Sequence, residues 1–91
     1  MTNIQEIDSL LSRMTALLNL GSQGSWASAL ERHRANLEVE PIATAARMLA
    51  MYGGMGSLND VILYRDGQPL AKENNEFYEL RSRLYELCHN A

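Results

Sequence analysis

Residues 53 to 60 read Gly-Gly-Met-Gly-Ser-Leu-Asn-Asp. A glycine-rich loop can cradle phosphate through converging backbone N–H groups. The P-loop form of that chemistry requires lysine and then serine or threonine after the last glycine. Here Ser57, Leu58, Asn59 and Asp60 follow, and an aspartate repels phosphate. The loop also follows a helical pattern, whereas a P-loop follows a strand. These residues therefore read as a shape element. Gly53 and Gly54 cap a helix, Gly56 allows a tight reversal, and Ser57, Asn59 and Asp60 satisfy loop N–H groups.

The remaining reactive types are sparse. His33 falls among Trp26, Leu30 and Leu37, with no nucleophile or carboxylate at a supporting spacing. It reads as a core-edge histidine with one ring nitrogen hydrogen-bonded. Cys88 and His89 are sequence neighbours, and neighbours on a helix point about 100° apart, so they form no dyad. Cys88 falls on an apolar stripe and reads as a buried thiol. One cysteine and two histidines without ligand spacing argue against zinc. Asp60 and Asp66, then Glu73, Glu76, Glu79 and Glu86, concentrate negative charge in the C-terminal third. Paired carboxylates need a cleft and separated pKa values to do acid–base work, and a small helical bundle seldom offers one. The expectation is a protein without catalytic residues, metal or cofactor. Tyr78, Arg81 and Tyr85 recur at i, i+3 and i+7, the spacing either of interface anchors or of core-edge residues.

The elements that must position these residues are mainly helical. Ile4, Ile7, Leu10, Leu11, Met14, Leu17 and Leu18 form one stripe, which predicts a helix over 3–20. Asn3 and Glu6 have capping-box spacing, and Gly21 is the expected left-handed stop. A second helix is expected over 25–38, capped by Ser25, with Glu31, Arg34 and Glu38 on its exposed flank. Pro41 suits the first position of a third helix over 41–52. Its expected stripe is Ile42, Ala45, Ala46, Leu49 and Tyr52, with Thr44, Arg47 and Met51 opposite. Val61, Ile62, Leu63 and Tyr64 favour a strand, and Asp66-Gly67 is a turn signal. This segment reads as a small hairpin or an extended excursion. A last helix over 73–88 has Phe77, Leu80, Leu84, Leu87 and Cys88 as its stripe. The whole reads as one mainly α domain over 1–91, a four-helix bundle with a β-like excursion between helices three and four.

Ninety-one residues with eight basic and eleven acidic side chains carry a net charge of −3. That balance shows no basic footprint for nucleic acid and suits a protein partner with a basic surface. A lone cysteine permits no internal disulfide and fits a reducing compartment. The first residues carry no positive n-region, and no apolar run approaches the roughly 20 residues of a membrane span. The expectation is a cytoplasmic protein that contacts neither membrane nor nucleic acid directly.

The segment 52–60, Tyr-Gly-Gly-Met-Gly-Ser-Leu-Asn-Asp, together with 75–87 and Trp26 to Leu30, resembles an uncharacterised family of small bacterial proteins. That family carries a Tyr-Gly-Gly-Met-Gly-Ser-aromatic-Asn-Asp signature before a short apolar run and a final helix. Leu58 stands where the signature has an aromatic residue, a departure in packing. The resemblance brings no catalytic residues. In size and acidity the chain also looks like the immunity proteins of bacterial toxin systems, including contact-dependent growth inhibition. This resemblance of type implies a binder of a cognate toxin domain, a nuclease with a basic cleft. Asp60, Tyr64, Asp66, Glu76, Tyr78, Glu79, Tyr85 and Glu86 are then the candidate partner-binding residues, with Met51 a further anchor. Gly53, Gly54, Gly56, Ser57 and Asn59 are the structural loop. The alternative is a structural or regulatory helical module that self-associates, burying the stripe of the first helix in a homo-oligomer.

Overall fold

The computed structural model describes residues 3–90. Among them lie four α-helices and a short antiparallel hairpin between the third and fourth. Helix α1 spans Ile4–Leu20 and buries Ile7, Leu11, Met14, Leu17 and Leu18. These recur every three or four residues, so one face carries the bundle core. The capping box does not form: Asn3 makes no side-chain cap bond. The carboxylate of Glu6 instead accepts two bonds from Arg83, at 2.8 and 3.3 Å. A distant guanidinium outcompetes the local backbone donor because a charge-assisted fork is the stronger interaction.

Gly21 ends α1 but is not left-handed; its φ is −96°, and Ser22 takes the positive φ of 68°. Gly21 is needed for space. A Cβ there would lie 2.6 Å from the Cβ of Leu63. Helix α2, Gly24–Asn36, starts one residue before the expected cap and ends two residues before the expected stop. The side-chain amide of Gln23, at the cap position, donates to the carbonyl of Ile62 at 2.8 Å. Ala27 and Leu30 face the core, followed by Leu37. Arg34 reaches Asp8 at 2.8 Å and ties the end of α2 to the start of α1, so the two helices run antiparallel.

Pro41 opens α3, which spans Pro41–Leu49 and stops three residues short of the expected end. Its buried stripe is Thr44, Ala45 and Met48, rotated from the expected one, and Ile42 is left 68% exposed. The rotation buries a threonine whose hydroxyl donates to the carbonyl of Asn36 at 3.3 Å. A satisfied hydroxyl can sit in a core. Met51, expected to face away, is half-buried against the core.

The loop that follows reverses the chain as expected, but α3 is already capped at Ala50, so Gly53 and Gly54 shape the loop rather than cap the helix. Asn59 contributes its backbone N–H rather than its side chain. Gly53, Gly54 and Gly56 have φ of 85°, 79° and 74°, a region closed to most side chains. The N–H of Gly56 donates to Asp60 Oδ2 at 2.7 Å, and that of Asn59 to Ser57 Oγ at 3.2 Å. The N–H of Leu58 closes the loop onto the carbonyl of Met51 at 2.8 Å. A 3-10 turn over Leu58–Asp60 buries Leu58 completely.

Val61 and Leu63 then point inward while Ile62 and Tyr64 face out, the alternation of an extended chain. Strands β1, Tyr64–Arg65, and β2, Gln68–Pro69, pair antiparallel, with Tyr64 opposite Pro69. Asp66 and Gly67 both have positive φ, 53° and 76°, as a type I′ hairpin turn requires. The excursion is thus a hairpin.

Helix α4, Ala71–His89, buries Phe77, Leu84, Leu87 and Cys88. Arg13 donates two bonds to Glu76, at 2.6 and 2.9 Å, and Arg83 pairs with Glu6 at 2.8 Å. Partner numbers rise along α1 as they fall along α4, so these helices also run antiparallel. Asn74 fixes the start of α4 to the extended segment. Its Oδ1 accepts from the N–H of Leu63 at 2.8 Å, and its Nδ2 donates to the carbonyl of Leu63 at 2.9 Å.

Candidate functional site

The C-terminal half of α4 faces the end of α3 and the glycine loop across an open groove of about 670 Å³. Three elements meet there because of Tyr52 and Arg81. The hydroxyl of Tyr52 donates to the carbonyl of Arg81 at 2.7 Å. Burial, ahead of neighbouring Cys88, pushes the Tyr52 phenol well above its ordinary pKa, so it stays a donor. Nη1 of Arg81 donates to the carbonyls of Leu58 and Asn59, at 3.2 and 3.3 Å. Its guanidinium also lies 5.4 Å from the ring centre of Tyr78 and 5.8 Å from that of Phe77, within cation–π range. Arg81 thereby holds the loop exit against α4.

The groove wall is a ladder of rings. Tyr52 and Tyr85 meet edge to face, with centres 5.1 Å apart. Tyr85 stacks nearly parallel on His89 at 5.9 Å. Such pairs contribute about 0.5–1.5 kcal/mol each beyond their burial. Tyr78, Ser82, Tyr85 and His89 follow one another at spacings of four, three and four, so they share a face of α4. Tyr78 is 61% exposed and Tyr85 43%. Glu86 lies on the same wall, and exposed Glu79, seven residues earlier, continues its line.

The candidate partner-binding residues divide between places. Tyr78, Tyr85 and Glu86 line the groove, and Glu79 stands beside it. Tyr64 and Asp66 lie on the hairpin at the opposite, N-terminal end of α4. Glu76 is engaged by Arg13, whose hydrogen bond and charge hold its carboxyl below the usual glutamate range. Asp60 spends one oxygen on the N–H of Gly56. Its carboxylate occupies the donor that a phosphate would need. Met51 is turned toward the core, and the fully outward methionine is Met55, 99% exposed at the tip of the glycine loop.

Reading the sequence missed Tyr52 and His89 as members of this site. The signal was the 4-3-4 spacing through His89. His33 makes no side-chain hydrogen bond among the described residues. Burial, reinforced by Arg32 and Arg47, lowers its pKa and favours the neutral ring. Cys88 is buried, and burial raises its thiol to about 11. Among the described residues no group of three or more His, Cys, Asp or Glu is arranged to hold a metal ion. Among the described residues no helix is long and apolar enough to cross a membrane.

Residues 20–71, more than half of the chain, match the profile of a family described as a domain of unknown function, DUF6966. The matched segment runs from the end of α1 through the glycine loop and hairpin to the first residue of α4. No curated protein and no solved structure gives a significant match.

Proposed function

The chain belongs to the DUF6966 family, and we propose that it is a small immunity protein that binds a cognate bacterial toxin domain of nuclease type and blocks its active site. The observation that supports this reading is the exposed face of α4. Tyr78 and Tyr85 stand there on a rigid helix, flanked by Glu79 and Glu86. Tyrosine supplies large contact area with only two side-chain torsions to freeze. Carboxylates beside it steer a basic partner and fix its register. The helix holds these groups in place before binding, which lowers the ordering cost of association.

The test is co-expression of this chain with candidate nuclease toxin domains, taken first from the genes that adjoin its own. Growth should be restored, and the purified proteins should form a one-to-one complex. A toxin that stays active in the presence of this protein, with no complex at micromolar concentration, refutes the reading. Self-association through the α1 stripe is a poorer account. Ile7, Leu11, Met14 and Leu18 of that stripe are fully buried within the chain's own core, so a dimer using them would have to open the fold.

A further inference from the structure

Within the inhibitory reading, we propose that the last turns of α4 form a subsite for one arginine side chain carried by the partner protein. The charge and shape of that end of the groove select the occupant. Tyr85 and His89 present stacked rings, and Tyr52 meets Tyr85 edge to face. A guanidinium is planar and weakly hydrated, and it stacks on such rings at low desolvation cost. Glu86 sits at the same level. Its contact with Arg83 is long, 3.5 Å, and uses Oε2 alone, so Oε1 is available to a second guanidinium. A carboxylate beside ring faces matches the donor fork of arginine, whereas lysine offers only a point charge.

The helix terminus adds to this. The final turn of α4 ends at His89, with Asn90 closing on the carbonyls of Glu86 and Cys88. The partial negative charge of a helix C-terminus favours a cation nearby. Arg81 is the cation within the groove, and it would oppose a second one. Its Nη1 is committed to the carbonyls of Leu58 and Asn59, and its guanidinium lies over Phe77 and Tyr78. It therefore sits one to two turns below the Tyr85–His89 end. Glu79, which makes no ion pair among the described residues, gives an approaching basic segment a second negative point along the same stripe.

The test is a titration of the intact protein, followed by backbone amide NMR shifts. The probes are acetyl-Gly-Arg-Gly-amide and its citrulline counterpart, which keeps the shape and loses the charge. The arginine peptide should shift the amides of Ser82, Tyr85, Glu86 and His89, and the citrulline peptide should bind at least tenfold more weakly. Glu86→Gln should weaken the arginine peptide roughly tenfold, the scale of one charged hydrogen bond, with the melting temperature unchanged. Equal binding of both peptides, shifts confined to another face, or no shifts at all would overturn the assignment. Glu86→Gln is also carried into the growth assay. If it loses peptide binding yet protects fully, the partner does not place an arginine here and the subsite proposal is overturned, while inhibition itself is upheld by the growth rescue and must use another surface. If the wild-type chain fails to protect while the peptide binds as expected, the inhibitory reading falls and the arginine subsite remains.

Discussion

Replacing Gly21 by alanine isolates a single steric contact. The φ of Gly21 is −96°, which alanine adopts freely, so no backbone strain enters. The added methyl would lie 2.6 Å from the Cβ, 2.8 Å from the Cδ2 and 3.0 Å from the Cα of Leu63. Two of these atoms belong to the rigid part of the residue, so a rotamer change cannot relieve them. Leu63 cannot retreat cheaply either. Its N–H and carbonyl are both held by Asn74, its carbonyl also accepts from the N–H of Leu70 at 2.9 Å, and its side chain is fully buried. The N–H of Tyr64 donates back to the carbonyl of Gly21 at 3.1 Å, so the two segments would have to part together. Overpacking of this kind costs about 1–3 kcal/mol. For a domain of this size, about 2 kcal/mol lowers the melting temperature by roughly 8–16 °C. Thermal unfolding followed by circular dichroism measures it. Gly24→Ala is the control, because a Cβ at Gly24 meets nothing within 4 Å, and its melting temperature should hold or rise. If Gly21→Ala melts with the wild type, the close approach of α1's end to Leu63 is wrong.

Gly56→Val tests the opposite cause. A Cβ there meets nothing within 4 Å, but φ is +74°, so the loss of about 1–2 kcal/mol comes from backbone strain alone; Gly56→Asn, which tolerates that region, should lose less in the same urea titration. Asn74→Ala leaves the N–H of Leu63 without its acceptor, and an orphaned buried donor costs about 1–3 kcal/mol; an unchanged urea midpoint would contradict the bridging role of Asn74. For Glu76 the folded pKa lies below the ordinary 4.5 because Arg13 bonds its charged form. The stability it supplies is complete above 4.5 and is lost as pH falls through the lower folded value. Glu76→Gln should therefore melt lower than the wild type near neutral pH and converge with it in acid, and the gap should also shrink in molar salt because both side chains are well exposed.

The fold was readable where the chain's own periodicity decides it. The stripes of α1 and α4 came directly from apolar spacing, because each helix buries one broad face against a single core. The glycines at 53, 54, 56 and 67 were readable because positive φ is a local demand that only a few residues meet. Where a distant partner decides, the reading failed. Gly21 has the position of a left-handed stop, but its glycine serves Leu63, 42 positions away. Glu6 had a capping-box spacing and was claimed by Arg83. The α3 stripe came out rotated because Thr44 found an acceptor in Asn36, and no hydrophobicity pattern records that bond. The groove was half visible: Tyr78, Arg81 and Tyr85 stood out by spacing, but Tyr52 joins them only once the glycine loop has folded α3 back onto α4.

The antiparallel pairing of α1 with α4 also dictates an order of assembly. The ion pairs that join them span 63 and 77 positions, whereas α1 and α2 are joined by a three-residue turn. Closing the short loop sacrifices far less chain entropy than closing the long one. The α1–α2 pair can therefore form early from local contacts, while α4 docks late. Conservative truncations at Leu84 should accordingly speed unfolding and leave the folding rate nearly unchanged, whereas those at Leu30 should slow folding. The surface assigned to partner binding would thus be built by the last event of folding, and the protein would acquire its grip only when the whole chain has closed.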